Sequence, residues 1–128
     1  MLVEYEVTSE NYNGPISLLA MLGGSENVQN WYPLMNHLGA NQCWLWLQLH
    51  DIDIQLCYAM SWQVLHNNCP IERRPIKIEK PHTIGYSLTT KIKAGESCLL
   101  RKYVAVVDSR YHKKENLIMD AIKCLTNL

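Results

Sequence analysis

The feature that most limits what this chain can fold into is an alternation of apolar and polar residues that recurs along most of its length. Residues 3–8 set Val3, Tyr5 and Val7 against Glu4, Glu6 and Thr8. Successive side chains of an extended strand point to opposite faces, so this spacing makes a strand with one wet face. Asn11-Tyr12-Asn13-Gly14-Pro15 follows, a cluster of residues that tolerate or fix unusual φ, and it forms a tight connection to a more buried strand at 16–22. Gly23-Gly24 ends that strand. The polar stretch 25–42, with Pro33 and Gly39, shows no sustained period and is expected to be one long loop.

Alternation then returns. Residues 43–49 place Cys43, Leu45, Leu47 and Leu49 opposite Trp44, Trp46, Gln48 and His50, so both faces of this strand carry apolar bulk and both are expected to be partly covered. In the next run Ile52, Ile54, Leu56, Tyr58 and Met60 oppose Asp53, Gln55, Cys57, Ala59 and Ser61, which predicts a hairpin turning near His50-Asp51. Trp62 to Leu65 extend the second strand until Asn67-Asn68-Cys69-Pro70 breaks it. Ile76-Lys77-Ile78 reads as an edge strand behind Arg73-Arg74-Pro75. Ile84, Tyr86, Leu88, Thr90 and Ile92 alternate in a further strand, and Ala94-Gly95-Glu96 predicts a second hairpin with residues 98–107.

From Lys113 the period changes. Leu117, Ile118, Ala121, Ile122, Leu125 and Leu128 fall three or four apart, with charged residues between them, which is the stripe of an amphipathic helix. Such a stripe must bury against something, so it either folds back onto the sheet or needs a partner outside the chain. The fold class that results is mainly β, an antiparallel β-sandwich over residues 1–110 with a C-terminal helix over 111–128.

Length and charge exclude several functions. At 128 residues the chain can bury one core and is too short for the barrels or doubly wound sheets that usually house sugar chemistry. Twelve Lys and Arg balance twelve Asp and Glu, leaving no net field for nucleic acid or an anionic membrane. No apolar stretch approaches the ~20 residues of a spanning helix, and MLVEYEVTSE has no basic-then-apolar signal, so the expectation is a cytoplasmic protein without membrane contact. Cys43, Cys57, Cys69, Cys98 and Cys124 form an odd set without a CxxC pair, which fits reduced thiols better than a disulfide frame or a zinc site.

No catalytic residue, cofactor site or metal site emerges. There is no GxSxG elbow and no phosphate-cradling glycine loop. Asp51 with Asp53, and Glu4 with Glu6, have the spacing of a carboxylate pair, but that is also how the wet face of any strand looks. His37, His50, His66, His82 and His112 lack ligand spacing. Arg73-Arg74 reads as a solvated turn rather than a phosphate site. Trp44, Trp46 and Trp62 are the candidate carbohydrate contacts, because flat rings on a rigid sheet stack on pyranose faces; the competing reading is that they fill space between layers.

Two segments carry a resemblance. Residues 5–24, YEVTSENYNGPISLLAMLGG, with Asn27-Val28-Gln29-Asn30 continuing them, and residues 102–110, KYVAVVDSR, resemble the N-terminal sandwich of glycoside hydrolase family 65, the maltose, trehalose and kojibiose phosphorylases and related glucosidases. Asp108 stands where that family usually has Thr, and Tyr111 where it has Asp. The resemblance implies a partial galactose-mutarotase-like super-sandwich whose opening strands precede Met1, followed by the first linker helix. It implies as partner an (α/α)6 catalytic barrel that this chain does not contain, and as substrate of the parent enzyme an α-glucosyl disaccharide. There a barrel glutamate protonates the glycosidic oxygen while inorganic phosphate, as co-substrate, or water attacks with inversion. No catalytic residue carries over to any position here. The expected role is non-catalytic: closing one side of the sugar pocket, holding the barrel and contributing to a homo-oligomer, a dimer or larger, which a bare helix stripe and open sheet edges would favour. The alternative is a stand-alone carbohydrate-binding sandwich that uses a Trp face.

Overall fold

The computed structural model describes residues 1–23, 34–49 and 52–126. In chain order come β1 (Leu2–Thr8), β2 (Gly14–Gly23), β3 (Leu34–Leu38), β4 (Gln42–Gln48), β5 (Gln55–His66), β6 (Cys69–Pro70), β7 (Ile76–Lys80), β8 (Thr83–Ile92) and β9 (Ser97–Asp108). A 3-10 turn (Lys114–Asn116) then leads into helix α1 (Leu117–Thr126). The larger sheet runs β1-β9-β5-β4-β3 with β6 beside β5, and the smaller runs β2-β8-β7. All of these pairings are antiparallel. The two sheets share one core, so the alternating runs do build an antiparallel β-sandwich with a C-terminal helix.

The expected hairpin between residues 84–92 and 98–107 does not form. β8 pairs with β2 and β7, whereas β9 pairs with β1 and β5, so the chain changes sheets at Lys93–Glu96. The connection from β1 to β2 changes sheets beside it, and the paired ribbon of four strands folds over one corner of the sandwich. Polar groups of both connections meet there. Ser9, which is buried, donates its N–H to the Glu96 carbonyl at 3.0 Å and accepts from Gly95 N at 2.7 Å. The Asn13 side chain accepts from Ala94 N at 2.9 Å, and the Glu96 carboxylate accepts from Lys93 N at 2.7 Å. A bend in a ribbon strips backbone groups of their ladder partners, and these bonds replace them.

Three other readings need correction. The stretch taken as one long loop contains β3, which joins β4 through Gly39-Ala40-Asn41, with Gly39 at φ 68°. Residues 24–33, including Asn27 to Asn30 and Pro33, lie outside the described residues, as does the His50-Asp51 turn. β4 and β5 do pair as expected, but β5 starts at Gln55 rather than Ile52. Asn67-Asn68 reverses the chain instead of simply ending a strand. Both residues have positive φ, 50° and 67°, the signature of a two-residue type I′ hairpin, and Cys69–Pro70 pairs back on His66 and Leu65.

The core between the sheets combines Leu18, Ala20, Ile84, Tyr86 and Leu88 from the smaller sheet with Leu45, Met60, Trp62, Val64 and Leu100 from the larger. Polar ties cross it at the rims: Tyr86 Oη donates to Gly39 O at 3.0 Å and to Gln42 O, His37 Nε2 lies 2.8 Å from Gly85 O, and Lys102 Nζ donates to Met21 O at 2.6 Å.

The helix settles the alternative left open by its stripe. Leu117, Ala121 and Leu125 are buried against Cys57, Ala59, Ala105 and Val107 on the outer face of the larger sheet. The apolar side of α1 is therefore covered by the chain's own sheet and not left bare. Ala121 of the helix and Ala59 and Ala105 of the sheet share this cluster, and Trp44, Trp46 and Tyr103 fill in around them. Lys114 Nζ, 3.1 Å from Asp53, and His112 Nδ1, 2.9 Å from Asp120, fix the entry to the helix.

Candidate functional site

Strand parity decides what the tryptophans can do. In β4 the even residues point outward from the sandwich, and Trp44 and Trp46 pack half-buried against the underside of α1. Their paired positions on β5, Ala59 and Cys57, lie under the same helix. Trp62 has the parity of Met60 and Val64 and points into the core. The three rings therefore do not share a face. Trp44 and Trp46 fill the layer between helix and sheet, and Trp62, 5 % exposed, stacks on Tyr86 with centroids 5.5 Å apart and planes 23° from parallel.

Trp62 nevertheless reaches a cleft of about 370 Å3 at one end of the sandwich. One wall is the turn after β3 with Asn41. Another is β5 with Trp62 and Gln63, and the third is the segment after β6 with Glu72, Arg73 and Arg74. Backbone bonds lock these walls together: Trp62 N donates to Asn41 O at 3.0 Å, and Ile71 N to Val64 O at 2.9 Å. Arg73 Nη1 reaches Thr89 O at 3.4 Å, a marginal contact. The Trp62 indole N–H is buried with no hydrogen-bond partner among the described residues. An unsatisfied buried donor costs ~1–3 kcal/mol in lost solvation. The sequence carried both signals, Trp62 and Arg73-Arg74, but nothing in their spacing says that they meet.

The other candidates remain apart. Glu4 is paired with Arg101 at 3.1 Å on an exposed face, and Asp53 with Lys114; Asp51 lies outside the described residues. His37, His66, His82 and His112 occupy separate places, and no group of three or more metal-ligating side chains occurs among the described residues. No helix among them is long and apolar enough to cross a membrane.

The buried thiols are chemically quiet. Burial pushes Cys43 and Cys57 up to about 12, far from the range in which a thiolate forms at neutral pH. Burial also raises Tyr86 to about 12 and depresses Lys102. Hydrogen bonds from the Lys93 backbone, and then from the Asn67 and His66 side chains, hold Glu96 below its ordinary value, and Arg110 does the same for Asp108. These shifts sit at corners and strand ends, where they stabilise turns.

The family model described as glycosyl hydrolase family 65, N-terminal domain, matches residues 1–128. No curated protein matches the chain.

Proposed function

Because the chain belongs to glycosyl hydrolase family 65, as its N-terminal domain, we propose that it is the non-catalytic scaffold of a cytoplasmic enzyme acting on α-glucosyl disaccharides by phosphorolysis or hydrolysis. The observation that carries this reading is the family match along all of residues 1–128. In that role it holds an (α/α)6 catalytic barrel, closes one side of the sugar pocket and contributes to a homo-oligomer. The outward side of the helix region supports the first part, since Tyr111 and Met119 stand exposed and offer apolar contact to a following body. The third part is supported by β1, which among the described residues is paired on one side only and exposes Leu2 and Tyr5.

The test is reconstitution. The chain alone should neither cleave maltose, trehalose or kojibiose nor release glucosyl phosphate from them. Mixed with a separately expressed family 65 barrel, it should co-elute and raise the barrel's melting temperature. Turnover by the chain alone would refute the scaffold role, and so would failure to associate with any such barrel. Light scattering on the chain should find a dimer or larger species; a monomer would remove the oligomer from the proposal. Titration with the three disaccharides addresses the alternative, since a free sugar module would give saturable quenching below about millimolar.

A further inference from the structure

We propose that the cleft beside Trp62 binds a small phosphorylated sugar. This goes beyond the scaffold role and does not depend on it. At about 370 Å3 the cleft has the size of a small-molecule site, and backbone bonds tie Trp62 of β5 to Asn41 and Ile71 to Val64 across two of its walls.

The chemistry of the lining selects the ligand. Arg73 and Arg74 line one wall beside the single carboxylate of Glu72, so the balance of charged residues there is cationic. A planar fork of N–H donors matches the oxygens of a phosphate better than any other side chain does. Asn41 and Gln63 supply both donors and acceptors, which suit hydroxyl groups, and Glu72 accepts from a hydroxyl while repelling a second anionic group. The apolar contribution comes from saturated side chains, among them Ile71 and Leu88. Trp62 is 5 % exposed with Tyr86 stacked on it, so no free ring face is offered to a nucleobase. A saturated polyhydroxyl ring with one phosphate fits this lining, and a nucleotide does not. The unpartnered Trp62 N–H in the wall makes its indole resonance a local reporter.

The experiment titrates the 15N-labelled chain with glucose 6-phosphate, glucose and inorganic phosphate, by calorimetry and by indole N–H spectra assigned with Trp62→Phe. Glucose 6-phosphate should saturate and move the Trp62 resonance while those of Trp44 and Trp46 stay in place. Glucose and phosphate should each bind at least about tenfold more weakly, because each lacks half of the contacts. The double variant Arg73→Gln with Arg74→Gln should lose about tenfold or more in affinity for glucose 6-phosphate, since charge-assisted bonds are removed. Both arginines are exposed, so its melting temperature should match the wild type. Equal binding of inorganic phosphate, undiminished binding by the double variant, or an unmoved Trp62 resonance would each overturn the proposal. None of these results would bear on association with a barrel.

Discussion

Docking of α1 on the larger sheet can be tested through Leu117. Its side chain is 1 % exposed and packs with Ala121 and Leu125 over Cys57, Ala59, Ala105 and Val107. Leu117→Ala removes three buried carbons, worth ~2.4 kcal/mol in transfer at ~0.8 kcal/mol each, and leaves a cavity that the tightly spaced alanines cannot fill. The expected loss is ~3–4 kcal/mol, a large share of the ~5–15 kcal/mol by which such domains are stable. At this chain length that lowers the melting temperature by ~10–15 °C. Urea unfolding followed by tryptophan emission and by circular dichroism checks it, because Trp44 and Trp46 lie beneath the helix. Met119→Ala, on the exposed side, should stay within ~0.5 kcal/mol. If Leu117→Ala unfolds at the wild-type midpoint with unchanged emission, the helix is not a structural part of the sandwich and the reasoning fails.

Gly85→Ala should abolish or severely reduce folding in a melting experiment. An added Cβ would lie 2.1 Å from the Ala20 carbonyl and 2.7 Å from the Met21 Cα, so β2 and β8 could not keep their register; a variant melting like the wild type would contradict this. Alkaline pH should destabilise the fold through Cys43 and Cys57. Their folded values are raised from 9.0 to about 12, so stability is full below pH 9 and declines as pH rises from 9 towards 12. At pH 10 the unfolded thiols gain ~1.4 kcal/mol each by ionising, ~3 kcal/mol together, and replacing both by Ala should flatten the slope of stability against pH. Glu96 has the opposite sign: its folded value lies below the ordinary 4.5, so its contribution is present above pH 4.5 and is lost as pH falls through the folded value. Glu96→Gln should therefore make the acid limb of a melting-temperature profile shallower, and an identical limb would refute the assignment. Tyr86→Phe should cost ~1–3 kcal/mol in urea unfolding, because the carbonyls of Gly39 and Gln42 lose a donor; no loss would mean that water replaces it freely.

Most elements were legible because each follows a period. β1, β2, β4, β7 and α1 appear where alternation or a three-to-four spacing puts them, and β7 is an edge strand as Pro75 and its flanking polar residues imply. β3 escaped because Leu34 and Leu38 are exposed and only Met35 and His37 turn inward, so a five-residue edge strand lacks a clear apolar face. The change of sheet between β8 and β9 was illegible for a different reason. Alternation tells which residues share a face, and it says nothing about which strand lies alongside. Ala94-Gly95-Glu96 reads the same whether it closes a hairpin or turns a corner. For the same reason Trp62 was grouped with Trp44 and Trp46: parity was correct within each strand, but only the register, Trp44 against Ala59 and Trp46 against Cys57, shows that Trp62 faces the other way.

The layering explains why the cleft is where it is. The larger sheet is covered on both faces along β4, β5 and β9, by α1 and by the smaller sheet, so residues there alternate between two buried environments and the outward tryptophans Trp44 and Trp46 are used up in packing. Among the described residues the smaller sheet is covered on one face, and Leu19 and Ile76 are exposed on the other. An aromatic side chain that meets a cleft must therefore come from between the sheets, near the end where the interior opens. Tyr86 makes that position rigid: it stacks on Trp62 from the smaller sheet while its hydroxyl holds the turn that carries Asn41. One residue of the core thus links the packing of the two sheets to the spacing of the cleft walls, and any ligand specificity of the cleft depends on the sandwich being closed at that end.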